Sequence, residues 1–165
     1  MKIISTSSFQ TKKIGQLLAE ELRGGEIICL SGDLGAGKTT FTQGLLRGLK
    51  IKGPYTSPTF TIVKEYTAPR NKKQKTKNKL SEKTQKKTTT YNLIPNSYRI
   101  FHIDAYRITS KDLLELGFAD FAGQKKSIVI IEWPEKVKKI IPPNAVWINF
   151  QWVNEKEREI TFDAK

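Results

Sequence analysis

The sequence predicts a three-layer α/β domain with a mixed central sheet, and three observations predict it. An apolar, β-branched run passes through a glycine-rich loop into residues at helical spacing, between Glu26 and Leu49. A second uninterrupted apolar run stands at Ser127 to Trp133, the mark of a strand covered on both faces. Near the C-terminus the apolar residues alternate instead, as in antiparallel strands.

At 165 residues the chain suits one domain with a sizeable core and is short for two, so residues 1–165 are read as a single domain. No apolar run approaches the ~20 residues that cross a bilayer, and no charged leader precedes one of secretory length. A cytoplasmic protein with no membrane partner is expected. The single cysteine, Cys29, lies in an apolar run, which excludes an internal disulfide and predicts a buried thiol. Net charge is +13, but Arg70 to Lys87 holds nine Lys or Arg against one Glu and supplies +8 of it. Basicity therefore belongs to a segment and not to a face of the fold.

Taken in order, the first element is a helix. Ser7 or Ser8 caps it, Ile14, Leu17, Leu18 and Leu22 form its apolar stripe, and Gly24 and Gly25 end it. Glu26 to Ser31 is a buried central strand, and after the glycine loop Phe41, Leu45 and Leu49 mark a second helix. Ser57 to Tyr66 reads as a strand, with Phe60 and Ile62 alternating against Thr59 and Thr61, and Ser97 to Asp104 as another. The stretch between them, about 68–95, is a basic insertion too poor in apolar residues to offset the entropy of ordering, and disorder is expected there. Thr109 or Ser110 caps a short helix that Gly117 ends, and Pro134 opens another after the second buried strand. Val146, Ile148, Phe150 and Trp152 alternate along one strand and Ile160 and Phe162 along the next, predicting a C-terminal antiparallel edge hairpin joined at Asn154 to Glu157.

Gly32 to Thr39 fits G-x-x-x-x-G-K-[ST] without mismatch, between a predicted strand and a predicted helix. Glycines permit the tight path, successive N–H groups wrap an anion, and the helix N-terminus faces it. In that geometry Gly35 and Gly37 cradle a β-phosphate, Lys38 reaches the β- and γ-oxygens, and the Thr39 hydroxyl is a ligand for Mg²⁺. The expected ligands are ATP and Mg²⁺, and the fold is P-loop NTPase-like. Such a site needs a carboxylate at the end of a neighbouring strand. Glu132 and Asp104 both stand at such ends. His102, alone on a strand, is expected to pack.

Four stretches in order, Gly32 to Phe41, Ser57 to Phe60, His102 to Ile108 and Ile131 to Lys136, closely resemble the TsaE family of bacterial P-loop ATPases, also called YjeE. The resemblance covers nearly the whole chain. It implies a slow, partner-dependent ATPase that works with the TsaB and TsaD proteins. Their product is threonylcarbamoyladenosine beside the anticodon of tRNAs that read codons starting with A, with tRNA reached through the complex. It makes Thr39 and Glu132 the magnesium ligands, and Leu34, Gly35, Ala36, Gly37, Lys38, Thr39 and Thr40 the phosphate cradle. Asp104 becomes the residue needed for hydrolysis, Thr59 part of a switch segment sensing the γ-phosphate, and Thr11 a neighbour of the adenine. Trp133 packs against either the site or the core. The basic insertion departs from the family's short connection; it is a solvated loop or a segment that steers tRNA.

Other P-loop functions fit less well. A nucleotide or small-molecule kinase needs an arginine-bearing lid, and the longest insertion lacks the apolar residues to build one. A GTPase needs an Asn-Lys-x-Asp stretch, which does not occur. An RNA-binding protein without catalysis would rest on the inserted segment alone.

Overall fold

The computed structural model describes residues 1–69 and 97–163. The basic insertion, with its expected disorder, lies outside the described residues apart from its first two positions.

One mixed sheet organises the chain. Its strands are β1 (Lys2–Ser5), β2 (Ile27–Ser31), β3 (Val63–Pro69), β4 (Ser97–Asp104), β5 (Ser127–Glu132), β6 (Val146–Trp152) and β7 (Arg158–Phe162), in spatial order β1-β7-β6-β2-β5-β4-β3. The four central strands β6, β2, β5 and β4 run parallel, and β3, β7 and β1 join antiparallel. The predicted hairpin forms as β6 and β7, with Asn154 Oδ1 accepting from the N–H groups of Lys156 and Glu157 in its turn. β1 adds outside it, pairing Lys2 with Thr161, so the last strand on that side comes from the N-terminus.

Helices α1 (Ser8–Glu21) and α2 (Lys38–Gly48) cover one face of the sheet. Helices α3 (Ser110–Glu115) and α4 (Phe118–Phe121), with the 3₁₀ helix Pro134–Ile140, cover the other. The strand pleat divides the core between these layers. Ile28, Leu30, Ile128 and Ile130 pack with Phe41 and Leu45, whereas Ile27, Cys29, Val129 and Ile131 pack with Leu113, Phe118 and Val137. Among the described residues no helix is long and apolar enough to cross a membrane.

Ser7 caps α1 by accepting from the Gln10 N–H, and Thr109 and Asp112 cap α3 reciprocally. The α1 stripe is rotated from the predicted one: Leu17 is half exposed, and the buried side is Thr11, Ile14, Gly15 and Ala19. The cause is a close helix contact. A Cβ on Gly44 of α2 would lie 2.0 Å from the Lys12 carbonyl oxygen, and one on Gly15 would lie 2.4 Å from that of Phe41. Backbone meets backbone there, which leaves Leu17 outside, while Ile14 and Leu22 of the predicted stripe stay in the core and Leu18 packs against it.

The predicted strand over Ser57 to Tyr66 is corrected in its first half. The Pro58 carbonyl accepts from the N–H groups of both Thr61 and Ile62, which folds Ser57 to Ile62 into a turn, and the strand begins at Val63. Ile62 has φ 62°, and Phe60 stands in solvent. Local turn chemistry around Pro58 outweighs the alternation of apolar residues.

Candidate functional site

Because β2, β5 and β4 are parallel neighbours, their C-terminal ends lie together at one edge of the sheet. Leu30 is in register with Glu132, and Glu132 with Asp104. The loop after β2 passes over these ends into α2, and Gly37 at the helix N-cap has φ 108°, a conformation that suits glycine. A cavity of about 330 Å³ opens there, lined by Leu34, Gly35, Gly37, Lys38, Thr39, Thr40, Ser57, Thr59, Asp104, Glu132 and Trp133.

Most of the residues singled out from the sequence therefore meet in one place. Ala36 belongs to the loop, but its side chain is buried beneath it and its N–H donates to the Asp33 carbonyl. Thr11 does not line the cavity. It is buried on α1, its hydroxyl bonded to Ser5 and Ser7, with its methyl on the side where a Cβ of Gly37 would project.

Lys38 is folded back over its own loop. Its Nζ donates to the carbonyl oxygens of Asp33, at 2.8 Å, and Gly32, and lies 3.8 Å from the centre of the Trp133 ring. Burial draws the ammonium below its ordinary range, against the pull of Glu132, Glu135, Asp33 and Asp104, which favour the charge. Trp133 thus packs against the site, in a left-handed conformation at φ 62° that turns the chain from β5 into the 3₁₀ helix.

The two carboxylates have different surroundings. Glu132 is buried, and its Oε2 accepts from Thr39 Oγ1 at 2.9 Å. Asp104 Oδ1 accepts from the Tyr106 N–H at 3.0 Å, and its Oδ2 accepts from Thr59 Oγ1 at 2.7 Å. Ser57 Oγ lies 2.8 Å from Thr59 Oγ1, so two hydroxyls of the turn run in series to Asp104. Lys64 holds the start of this turn through Thr56 and the Ser57 carbonyl. Glu132 is therefore tied to the first turn of α2 and Asp104 to the turn that precedes β3.

Thr39 and Glu132 are hard oxygen donors at the cavity floor. Among the described residues no cluster of three or more His, Cys, Asp or Glu could hold a metal by itself. Mg²⁺ fits this donor set, since it takes one or two protein oxygens and completes its shell with water and phosphate oxygens.

The reading from sequence missed three contacts. His102 does not merely pack: its Nε2 lies 2.8 Å from Glu132 Oε1. The available signal was its i, i+2 spacing to Asp104, which puts both on one face of β4. Thr42, one turn after Lys38, approaches the same Oε1 at 3.5 Å. Arg158 of β7 donates from Nε to the Gly35 carbonyl at 3.3 Å, a contact no local pattern announces.

Comparisons with known proteins agree with this geometry. A family model described as threonylcarbamoyl adenosine biosynthesis protein TsaE matches residues 5–77 and 73–160. A Bacillus subtilis tRNA threonylcarbamoyladenosine biosynthesis protein TsaE is 33% identical over 156 residues, 94% of this chain and 80% of that protein. The Aquifex aeolicus protein of the same name is 31% identical over 166 residues, 99% of this chain and 96% of its own length. The crystal structure of Bacillus subtilis YdiB superposes with a TM-score of 0.68 at 30% identity, covering 98% of this chain and 83% of that one. With the match running through the loop, the turn and both carboxylate strands, the chain belongs to the TsaE family of threonylcarbamoyl adenosine biosynthesis proteins.

Proposed function

We propose that this chain is a Mg²⁺-dependent ATPase that supports TsaB and TsaD in threonylcarbamoylation of the adenosine next to the anticodon of ANN-decoding tRNAs. The observation that carries the reading is the bond from Thr39 to Glu132, between the first turn of α2 and the end of β5. In a P-loop ATPase the hydroxyl that ligates the metal and the acid that steadies it meet in this way. The charge balance of the cavity also favours a metal: Asp104 and Glu132 line it with Lys38, so a triphosphate entering it needs a further cation.

The loop N–H groups from Leu34 to Thr40 and the N-terminus of α2 hold phosphate oxygens. Lys38 leaves its carbonyl partners to offset charge on the transferring phosphoryl group. Thr39 and Glu132 hold Mg²⁺, which when bound neutralises charge on the β- and γ-phosphates. Asp104 orients the attacking water and accepts its proton, after Thr59 has given up its bond to Oδ2. Closing of the turn over the γ-phosphate by Thr59 couples the nucleotide state to the outer surface. Adenine lies toward an adjoining cavity of about 440 Å³, whose lining includes Ser7, Gly37, Thr40 and Arg158. The protein acts in the cytoplasm, where charged tRNAs are made and used.

Reconstituted tRNA modification by TsaB and TsaD, followed over many turnovers with and without this protein, tests the proposal. ATP-dependent stimulation is expected; modification that proceeds equally without the protein overturns it.

A further inference from the structure

Beneath the cavity floor sits a group that the proposed reaction does not use. His102 is 1% exposed on β4, between β5 and the edge strand β3, on the α2 side of the sheet and between Ile100 and Asp104 on that face. Its Nε2 lies 2.8 Å from Glu132 Oε1, and its Nδ1 is buried with no hydrogen-bond partner among the described residues. Removing an imidazole from water is unfavourable, and the bond to Glu132 is the return on it. An aliphatic side chain would serve packing alone better at this position, as Ile100 does one pleat earlier.

The chemistry of the bond gives it a direction. An ionised carboxylate only accepts, so the proton of this contact is carried by Nε2. Thr42 does not supply it: its single hydroxyl proton goes to the Lys38 carbonyl at 3.1 Å, and Glu132 Oε1 is the farther acceptor at 3.5 Å. The terminal torsion of a glutamate is soft and roughly two-fold, so one held oxygen fixes the plane of the group and leaves the other facing a set direction. Here Oε1 is held from below by His102, and Oε2 faces Thr39 and the cavity.

We infer that His102 is a positioning residue for the divalent cation: it locks the Glu132 carboxylate so that Oε2 is presented beside Thr39. The inference rests on the reading of the cavity as a Mg-nucleotide site. It predicts that His102 governs the gain in nucleotide affinity that Mg²⁺ brings, and not nucleotide binding without metal. Outer partners of metal ligands commonly change metal affinity by ~10–100-fold when removed.

Three substitutions separate positioning from packing. His102→Gln keeps an N–H donor the same number of bonds from Cβ as Nε2. His102→Asn moves the donor to the reach of Nδ1, and His102→Leu removes it. The measurement is calorimetric affinity of the full chain for ADP over a Mg²⁺ titration, with thermal midpoints and circular dichroism as checks on folding. Wild type and His102→Gln should reach half-saturation at Mg²⁺ concentrations within about threefold of each other, and the Leu and Asn variants should need ~10–100-fold more. Affinity for ADP in EDTA should be equal in all four.

If folded His102→Leu responds to Mg²⁺ as the wild type does, the inference is overturned. Equal impairment of the Gln and Leu variants also overturns it, because size and not the donor then matters. If wild type binds ADP identically with and without Mg²⁺, the underlying reading of the cavity fails instead. Those results are distinct in one data set.

Discussion

Thr39 Oγ1 donates to Glu132 Oε2 at 2.9 Å, tying the first turn of α2 to the C-terminal end of β5 across 93 residues of sequence. The bond uses the hydroxyl proton and leaves the oxygen lone pairs for a metal. Glu132→Gln keeps the shape and removes the charge. ATP hydrolysis in that variant should fall ~10²-fold or more, with half-maximal rate shifted to higher Mg²⁺. A Mg²⁺ titration of the hydrolysis rate checks this.

Asp104 takes no part in the loop contacts of Lys38 and Thr39, and its partners are the Thr59 and Ser57 hydroxyls and the Tyr106 N–H. Asp104→Asn should therefore separate turnover from binding. The turnover number is expected to fall by ~10²–10⁴-fold, the range of a lost general base, with nucleotide affinity within about threefold of wild type. Single-turnover hydrolysis beside calorimetric binding makes the comparison.

Gly44 is where α1 and α2 touch backbone to backbone. A Cβ there meets the Lys12 carbonyl oxygen at 2.0 Å, and only a shift of a helix relieves it. Gly44→Ala should destabilise by ~1–3 kcal/mol or more, and at ~2–4 °C per kcal/mol for a domain this size the thermal midpoint drops by several degrees. Differential scanning calorimetry reads the shift directly.

Cys29 is fully buried on β2, and burial, aided by the charge of Glu135, pushes its thiol up to about 12. The native thiol should stay unreactive toward alkylating agents at about pH 8 until the protein unfolds. The sign of the linkage follows: the unfolded thiol ionises first, so the native state holds the extra proton between pH ~9 and ~12. The stability this group contributes is complete below that window and is lost as pH rises through it. The difference in unfolding free energy between wild type and Cys29→Ala should narrow in denaturant titrations from about pH 8 to 11.

The central strands were legible because both faces are covered, which forces unbroken apolar runs such as Ile128 to Ile131. The glycine-rich turn from β2 into α2 is legible because its left-handed positions, Gly35 at φ 77° and Gly37 at φ 108°, favour glycine. What sequence reading lost depended on distant partners. β1 is four residues long and exists through pairing with Arg158–Thr161, far along the chain. Periodicity places Leu17 in the core because nothing local announces that Gly44 meets Lys12, and Gly15 meets Phe41, backbone to backbone. A lone histidine on a strand reads as packing because its register partner on β5 is an isoleucine, Ile130, and the carboxylate it meets, Glu132, lies diagonally two residues further along. Alternation placed Phe60 on a strand, and the turn at Pro58 turned it to solvent.

The central claim is that the cavity beneath Gly32 to Thr39 holds Mg-nucleotide through Lys38. Its most direct test is calorimetric titration of ADP in excess Mg²⁺ into wild type and Lys38→Ala, both shown to be folded. The account predicts a single site in the wild type and an affinity loss of ~10²-fold or more in the variant, the scale of a removed charge-assisted contact with a phosphate. Equal affinity in the two proteins, or no binding to the wild type, would contradict it.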